Sequence, residues 1–330
     1  MNAKKNIALL MGGDSGEFEV SVASAAVIRN NIDPDLYNVY PVMVHAGEWI
    51  YMPDKKTGIP VDKNSFSVLA HDDRIFFDCA FIAIHGTPGE DGRLQGYLDM
   101  MHIPYTSCDL TTSAVTFNKY FCNDLAIQYG MNVAETILIR HLESYNAEAL
   151  AQKVGLPCFV KPNKSGSSCG VTKVYDISGF KKAIDDAFAE DDEVLVQQYI
   201  KGRELACGVF RQNGRVIVLP VTEIVSKKDF FDYEAKYTSG MADEITPAPI
   251  TPDELADCNH ITAFLYEKFN CKGVVRFDYF LSEGKLWFLE VNTVPGLSDG
   301  SIVPRQAVAA GYSLKEFFGI LIEEALQTAR

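Results

Sequence analysis

Short apolar runs alternate with stretches of helical periodicity along the first third of the chain. The continuous apolar run 6–11 is typical of a buried parallel strand, and a Gly-rich turn at 12–16 follows it. Residues 20–29 then place their apolar side chains on one face, which predicts a helix. This alternation is typical of a parallel, doubly wound α/β sheet. Further strands are predicted at 39–44 and 80–84, and a further helix at 94–101.

The pattern changes after residue 118, where strands become frequent and hairpins are expected. The stretch 226–249 is polar, aromatic and charged by turns without periodicity, and a segment of that length is usually a functional lid or disordered. The turn Ser282-Glu283-Gly284 between two β-rich segments, 274–281 and 286–291, predicts a hairpin. Helices are predicted at 119–129, 179–189, 253–269 and 312–329, and further strands at 158–161, 171–175, 193–199, 205–210 and 216–221.

Length and charge narrow the classes of protein. A chain of 330 residues favours two or three compact units. The net charge is −14 and the pI is near 4.9. Such a surface repels nucleic-acid phosphates and anionic lipid, so we expect neither nucleic acid nor a membrane as a partner. Any phosphate-binding site in this chain must gather its positive charge locally.

The eight cysteines include no CxxC pair, and no His lies at zinc-finger spacing from them. The first apolar run leads directly into Gly12-Gly13 without a small-residue cleavage site, and it is too short to span a membrane. Free thiols without an export signal predict a cytoplasmic protein. We expect the cysteines to be buried apolar side chains, with the Gly-rich surroundings of Cys169 as the exception.

The segment 161–170, Lys-Pro-Asn-Lys-Ser-Gly-Ser-Ser-Cys-Gly, joins two predicted strands. A loop rich in Gly and Ser can fold its backbone N–H groups over phosphates, with Lys161 at the strand end pairing with phosphate oxygens. It is not a Walker A loop, because that motif needs Gly-Lys-Ser/Thr opening a helix. A mobile surface hairpin is the alternative interpretation.

Three oxygen-bearing side chains are predicted to meet on the last hairpin. Asp278 and Glu290 lie on its two strands, and Asn292 shares a strand face with Glu290. Hard oxygen ligands suit Mg²⁺, and a cation would compensate the burial of carboxylates. A surface salt bridge with Arg276 is the alternative.

Three further polar segments are candidates for a site. Gly12 to Glu17 lacks the Gly-x-Gly-x-x-Gly spacing, which argues against a dinucleotide site, although a helix N-terminus with Glu17 can hold a zwitterion. His85 directly follows a buried strand, and sites in α/β sheets form beyond strand ends. Lys236 and Tyr237 lie in the predicted lid, which can close over an active site.

The order of these motifs strongly resembles the D-alanine–D-alanine ligases of the ATP-grasp superfamily, over nearly the whole chain. The resemblance rests on Gly-Gly-x-Ser-x-Glu with Glu19-Val20-Ser21, on His-Gly…Gly-Glu-Asp-Gly, on Lys-Pro…Gly-Ser-Ser-x-Gly, on Glu-Ala-Lys-Tyr, and on Arg-Phe-Asp with Glu-Val-Asn-Thr-x-Pro-Gly. It implies an ATP-grasp fold behind an N-terminal Rossmann-like parallel α/β domain. The expected units are 1–118, a central subdomain at 119–199, and a C-terminal subdomain at 200–330 carrying the lid loop 226–249.

The resemblance implies an ATP site between the last two units. Lys119 and Lys161 would bind the α and β phosphates, the loop with Ser167 and Ser168 would cover them, and Glu204 would take the ribose hydroxyls. The family often has Glu where this chain has Gln197; a Gln oxygen still accepts from the adenine amine, but its NH₂ then needs a partner. The residues implied at the adenine are Gln197, Gln198, Tyr199 and Leu289.

The resemblance also implies the metal and substrate residues. Asp278, Glu290 and Asn292 would hold two Mg²⁺ ions, for which Mn²⁺ can substitute. Glu17 would bind the ammonium group of the first D-alanine, with His85 near its carboxylate. Arg276 and the Gly296 N–H would stabilise the oxyanion. The remaining implied residues are Ser301 and Lys236 at the second carboxylate, and Ser167 and Tyr237, which would link the lid to Glu17.

The implied reaction joins two D-alanine molecules through a D-alanyl phosphate, with release of ADP and phosphate, for peptidoglycan synthesis. The partners would be D-alanine, ATP and, as is common in the family, a second copy in a homodimer. The intact Lys236-Tyr237 pair favours D-alanine as the second substrate. Two alternatives remain: an ATP-grasp ligase that makes a depsipeptide or a different dipeptide, and a nucleotide-binding regulatory protein without catalysis. The missing dinucleotide motif disfavours a dehydrogenase.

Overall fold

The computed structural model describes residues 3–54, 56–70, 72–166, 169–226 and 242–328. Within these residues the chain forms nine α-helices, a short 3₁₀ turn and eighteen strands. The helices are α1 Phe18–Asn31, α2 Arg93–Met100, α3 Leu110–Phe117, α4 Lys119–Gln128, α5 Ala147–Val154, α6 Phe180–Phe188, α7 Pro252–Lys268, α8 Ile302–Ala309 and α9 Leu314–Thr328.

The strands fall into three sheets. Those of the first sheet are β1 Lys5–Gly12, β2 Tyr37–His45, β3 Glu48–Tyr51, β4 Ile59–Asp62, β5 Ser67–Ala70, β6 Asp73–Phe76 and β7 Cys79–Ile82. Next come β8 Asn132–Val133, β9 Thr136–Arg140, β10 Cys158–Pro162, β11 Thr172–Val174 and β12 Glu193–Gln198. The last are β13 Arg203–Gln212, β14 Arg215–Val218, β15 Thr222–Ser226, β16 Ala242–Ile245, β17 Val275–Ser282 and β18 Lys285–Asn292.

The first sheet has a parallel centre, as the alternation of strands and helices predicts. Strand β1 pairs in parallel with β2 on one side and with β7 on the other. Beyond β2 the sheet continues through β3, β4, β5 and β6 as an antiparallel meander, which was not predicted from the sequence. Each of those strands has only four residues, too few for a clear alternation of apolar and polar positions.

The other two sheets are largely antiparallel. The second has the order β11-β10-β12-β9, and the third runs β16-β15-β13-β17-β18-β8 with β14 paired to β13. The single strand predicted at 216–221 is wrong, because β14 ends at Val218 and β15 begins at Thr222. Pro220 lies between them, and proline cannot donate a hydrogen bond to a sheet ladder. The predicted aperiodic stretch 226–249 also contains a strand, β16.

Helix α9, the last helix of the chain, packs against the first sheet. Phe317 and Phe318 are fully buried in one cluster with Ile7, Leu9 and Phe81 of strands β1 and β7. The rings of Phe81 and Phe318 meet edge to face at 5.9 Å between centroids. This packing ties the first sheet to the unit that contains the last hairpin.

Helix α4 packs against the third sheet and β8 is an edge strand of that sheet, although both precede the second sheet in the chain. Cys122 and Ala126 of α4 are buried in the cluster that contains Phe277 and Phe288 of β17 and β18. Lys119, the first residue of α4, is thereby held beside the last hairpin. All eight cysteines are free; seven are buried and Cys169 is half-buried. Within the described ranges, no helix is both long and apolar enough to cross a membrane.

Candidate active site

A cavity of about 570 Å³ lies where the three sheets meet. Its walls include the start of α1, the loop after β7, the loop after β10, and the last hairpin. Most of the candidate residues predicted from the sequence therefore share one cavity. The described candidates that line it are Glu17, His85, Lys119, Lys161, Gln197, Gln198, Tyr199, Glu204, Arg276, Asp278, Leu289, Glu290, Asn292, Gly296 and Ser301.

A β-bulge brings the acidic residues of the last hairpin opposite each other. Near the turn, Ser282 pairs with Lys285 and Tyr279 with Phe288, a register that would set Asp278 against Leu289. The register shifts between Asp278 and Tyr279, so Asp278 pairs with Glu290 instead. Bulges are common beside active sites because they re-aim side chains. Here both Leu289 and Glu290, although consecutive, line the cavity.

Asp278 is almost fully buried and is held by two side chains. The Arg276 guanidinium donates to both carboxylate oxygens, with Nε 2.8 Å from Oδ1 and one terminal nitrogen 2.7 Å from Oδ2. Asn292 Nδ2 also donates to Oδ2, at 3.0 Å. The salt bridge weighed as an alternative therefore exists, but it lies in the cavity wall, with the Asp278 side chain 3% exposed.

The charge state of Arg276 follows from these neighbours. Burial disfavours its charged form, but the Asp278 carboxylate, through Coulomb attraction and hydrogen bonds, outweighs burial and raises the pKa of Arg276 above its ordinary value. Glu290 and Glu204 act in the same direction. A permanent positive charge thus faces the cavity, where it can stabilise a developing oxyanion.

The donor set of the hairpin fits a hard divalent cation. Asp278, Glu290 and Asn292 offer two carboxylates and an amide oxygen side by side on the cavity wall, the ligand types that Mg²⁺ and Mn²⁺ prefer. In the described part of the chain, no three His, Cys, Asp or Glu side chains form a possible metal site. The predicted trio differs in using an amide. The assignment of metal ligands stays a prediction.

Two lysines bring positive charge to the same region. Lys119 Nζ donates to the Ser165 carbonyl at 2.5 Å and lies 3.9 Å from the Glu290 carboxylate. Lys161, on β10, is 8% exposed and lines the cavity. Asn163, which follows β10, connects that strand to α4, the helix that begins at Lys119. Its carbonyl oxygen and its side-chain oxygen accept hydrogen bonds from the first backbone N–H groups of α4. The cavity therefore has local positive charge although the chain as a whole is acidic, as predicted for a phosphate site.

The loop after β10 approaches the start of α1. A Cβ atom on Gly166 would lie 2.4 Å from Glu17 Oε2, so only glycine fits there without moving Glu17. Glu17 is the N-cap residue of α1 and makes no side-chain capping bond. Its carboxylate thus lies between the helix N-terminus and the Gly/Ser loop. Ser167 and Ser168, predicted in that loop, lie outside the described residues, as do Lys236 and Tyr237 of the predicted lid.

His85 is buried and has a defined tautomer. Its Nδ1 lies 2.8 Å from the Val294 carbonyl oxygen, which can only accept, so Nδ1 carries the hydrogen. Its Nε2 lies 3.4 Å from Ser24 Oγ. Burial lowers the pKa of His85 against the opposing attraction of Glu17, which leaves the ring neutral at neutral pH.

Glu90 lines the cavity and lies in the motif that follows His85, although it was not predicted as a site residue. Its two oxygens accept from the backbone N–H groups of Gly86 at 2.8 Å and Val294 at 3.0 Å. It thereby joins the loop after β7 to the loop after β18. Burial, with repulsion from Glu17 and Glu290, raises the pKa of Glu90 to about 7. The sequence signal available was a Glu between glycines after a buried strand.

The opposite end of the cavity, called here the aromatic end, is lined by aromatic and apolar side chains. Phe159 and Tyr199 meet there with ring centroids 5.9 Å apart, and Lys173 Nζ lies 4.1 Å from the Tyr199 ring centroid. Trp287 and Leu289 line the same cavity from the hairpin. Phe159 and Trp287 were not predicted, since single aromatic residues on strands give no signal in the sequence. This end suits a planar, heteroaromatic ring.

Ser301 and Gly296 form the wall next to Arg276. A Cβ atom on Gly296 would lie 2.7 Å from Ser301 Oγ, so the backbone passes close to that hydroxyl. Ser301 is the N-cap of α8, and its hydroxyl accepts from Ser298 N at 3.1 Å. Glu204 enters from β13 beside Arg203, which pairs with Glu223 at 2.7 Å.

Known proteins resemble this chain over nearly its whole length. The families described as D-ala D-ala ligase N-terminus and D-ala D-ala ligase C-terminus match residues 6–108 and 125–323. A D-alanine–D-alanine ligase of Azobacteroides pseudotrichonymphae is 44% identical over 97% of this chain and 99% of its own.

Solved structures agree with this comparison. A D-Ala:D-Ser ligase of Enterococcus faecalis matches with a TM-score of 0.86 and 31% identity, covering 98% of this chain and all of the other. A D-alanine–D-alanine ligase of Bacillus anthracis complexed with ATP matches with a TM-score of 0.80 and 28% identity, over 99% of both chains. The chain therefore has the ATP-grasp fold and belongs to the D-alanine–D-alanine ligase family.

Proposed function

We propose that this chain is an ATP-dependent ligase that joins two D-alanine molecules into D-alanyl-D-alanine for peptidoglycan synthesis. The observation that carries the proposal is a single cavity that combines two lysines, an acidic hairpin, a buried arginine and a carboxylate at a helix N-terminus. Membership of the family and the ATP complex of a structural neighbour support it.

In the first step, a carboxylate oxygen of one D-alanine attacks the γ-phosphorus of ATP. The bond to the bridging oxygen breaks, which yields D-alanyl phosphate and ADP. Lys119 and Lys161 bind the α and β phosphates, and the loop with Ser167 and Ser168 covers them. Catalysis of this kind depends on positioning and on neutralisation of charge.

Asp278, Glu290 and Asn292 are the residues that would hold Mg²⁺, as a pair of ions, or Mn²⁺ in its place. When bound, the cation would screen the charge of the triphosphate from the attacking carboxylate. Arg276 pairs with the proposed metal ligand Asp278 and also faces the cavity in which the substrates would bind. The ribose hydroxyls bind Glu204, and the adenine lies among Gln197, Gln198, Tyr199 and Leu289.

In the second step, the deprotonated amine of the other D-alanine attacks the acyl carbonyl. The C–N bond forms, the carbon–oxygen bond breaks so that phosphate leaves, and the nitrogen releases one further proton to solvent. Arg276 and the Gly296 N–H stabilise the oxyanion between these events; removal of one such donor typically costs about 10²–10³ in rate. Glu17 binds the first ammonium group, with neutral His85 beside its carboxylate. Ser301 and Lys236 hold the second carboxylate, and Ser167 and Tyr237 link the lid to Glu17.

A phosphate-release assay with ATP and Mg²⁺ tests the proposal. D-alanine alone should release phosphate and give a product with the mass of D-alanyl-D-alanine, whereas L-alanine should not. Adding D-lactate or D-serine distinguishes other acceptors, and the D-serine arm matters because one structural neighbour is a D-Ala:D-Ser ligase. Phosphate release without any amino acid, or a mixed product in preference to the D-alanine dimer, would contradict the proposal.

The location of the protein, its division into units and its assembly are further parts of the proposal. A cytoplasmic location agrees with eight free thiols. The division into units 1–118, 119–199 and 200–330 and the assembly into a homodimer rest on the family resemblance. Sedimentation at several protein concentrations tests the dimer.

A further inference from the structure

The amide of Gln197 is held by the neighbouring strand. Gln197 of β12 pairs with Thr136 of β9 in the sheet register. Its Nε2 donates to Thr136 Oγ1 at 3.0 Å, and Gln197 is only 5% exposed. The NH₂ group of Gln197, which a Glu side chain would not have, therefore has a hydrogen-bond partner within the protein.

The hydroxyl of Thr136 decides which way this amide faces. Thr136 Oγ1 lies 2.8 Å from the Ala134 carbonyl oxygen, which carries no hydrogen, so the hydroxyl must donate its one proton there. Its oxygen can then only accept. The side chain of Gln197 must therefore present NH₂ to Thr136, which fixes an orientation that coordinates alone leave ambiguous.

The carbonyl oxygen of Gln197 is left for the cavity. Gln197 lines the aromatic end and pairs with Phe159 in the sheet register. Among the described residues, none donates a hydrogen bond to Gln197 Oε1. The aromatic end therefore offers a ligand a fixed acceptor, and a ligand that presents its own acceptor there would leave the Gln197 oxygen without a donor.

We propose that Thr136 is a positioning residue that locks Gln197 as a hydrogen-bond acceptor, so that the site prefers a 6-aminopurine nucleotide to a 6-oxopurine nucleotide. The proposal rests on the proposed function, which assigns this end of the cavity to the base of ATP. It adds the residue that sets base preference in a chain with Gln at this position.

ADP and IDP are the probes, because they differ at the 6-position and in the N1 proton and neither is turned over. Titration calorimetry with Mg²⁺ and without D-alanine should show ADP binding about 10- to 100-fold more tightly than IDP to the unaltered protein. In Thr136→Val the amide of Gln197 is free to reverse, and the ratio should fall below about threefold. Thr136→Ser keeps the hydroxyl and should restore the preference.

Ligase kinetics separate positioning from a general defect. Thr136→Val should raise the KM for ATP and leave kcat at saturating ATP within about twofold. The melting temperature of Thr136→Val, compared with that of Thr136→Ser, is the control for folding. An unchanged ADP/IDP ratio in Thr136→Val would overturn the role of Thr136 while the D-alanine assay still supports the proposed function. Failure of the unaltered protein to bind ADP would overturn both.

Discussion

Arg276 and Asp278, two residues apart on one strand, form a bidentate ion pair with donor–acceptor distances of 2.8 and 2.7 Å. The fork geometry of the guanidinium matches the carboxylate, which makes such pairs strong and directional. The pair joins the proposed oxyanion-stabilising residue to a proposed metal ligand. A change at either position is therefore expected to disturb both steps of the reaction.

A double-mutant cycle measures this coupling. Arg276→Ala leaves the Asp278 carboxylate buried with a weakened set of partners and should destabilise the fold by about 3–5 kcal/mol. Asp278→Asn in addition should recover part of that loss, with an interaction energy of about 1–3 kcal/mol in denaturant unfolding. The exposed helical pair Lys181 and Asp185 is the control and should show much weaker coupling. Additive losses at Arg276 and Asp278 would contradict the coupling.

Glu290→Gln tests the proposed cation site. The amide keeps the size of the side chain but removes one negative charge, and divalent-cation affinity depends on the charge of its ligands. The Mg²⁺ concentration for half-maximal activity should rise at least about tenfold, with little change in melting temperature. Glu283→Gln, at the exposed turn of the same hairpin, should change neither. Equal Mg²⁺ dependence of both variants would remove Glu290 from the cation site.

The position of Asp278 and Glu290 on neighbouring strands could be predicted, because a tight turn joins the two segments into a hairpin. The turn alone, however, would place Asp278 opposite Leu289, and the bulge that corrects this has no signal in the sequence. The parallel centre of the first sheet was predictable from the long apolar runs of β1 and β2. The meander β3 to β6 was not, since strands of four residues carry too little pattern.

Long-range contacts mark the limit of sequence reasoning at the site. Glu90 accepts from Val294, and Asn163 from the start of α4, across 204 and 43 residues of chain. Such bonds depend on how the three sheets meet, which periodicity does not determine. Gln197 shows the same limit. The sequence indicates that its NH₂ group needs a hydrogen-bond acceptor, but only the pairing of β12 with β9 identifies Thr136 as that acceptor.

Gly166→Ala tests the approach of the Gly/Ser loop to Glu17. The new Cβ would lie 2.4 Å from Glu17 Oε2, at the end of a flexible side chain, so Glu17 should move without unfolding the protein. We expect the KM for the first D-alanine to rise about tenfold, equivalent to one displaced charged contact. Gly16→Ala is the matched control, since its Cβ would meet only Cys169 Sγ at 3.9 Å. A normal KM in Gly166→Ala would show that Glu17 does not bind the ammonium group there.

Glu90 should make stability depend on pH. Its pKa is raised from 4.5 to about 7 in the folded chain, so the folded state binds this proton more tightly than the unfolded state does. The stability due to the protonated carboxyl is complete below pH 4.5 and is lost as pH rises to about 7. The shift corresponds to roughly 3 kcal/mol.

Urea unfolding at pH 5 and pH 8 measures this contribution, and Glu90→Gln should remove it. The variant should be less stable than the parent at pH 5, because its NH₂ cannot accept from both Gly86 and Val294. Its stability should nevertheless fall less than that of the parent between the two pH values. Exposed Glu48→Gln, as the control, should retain the parent's dependence. If Glu90→Gln and the parent lose equal stability between pH 5 and 8, another group carries the dependence, since removing a titrating group must remove its proton linkage.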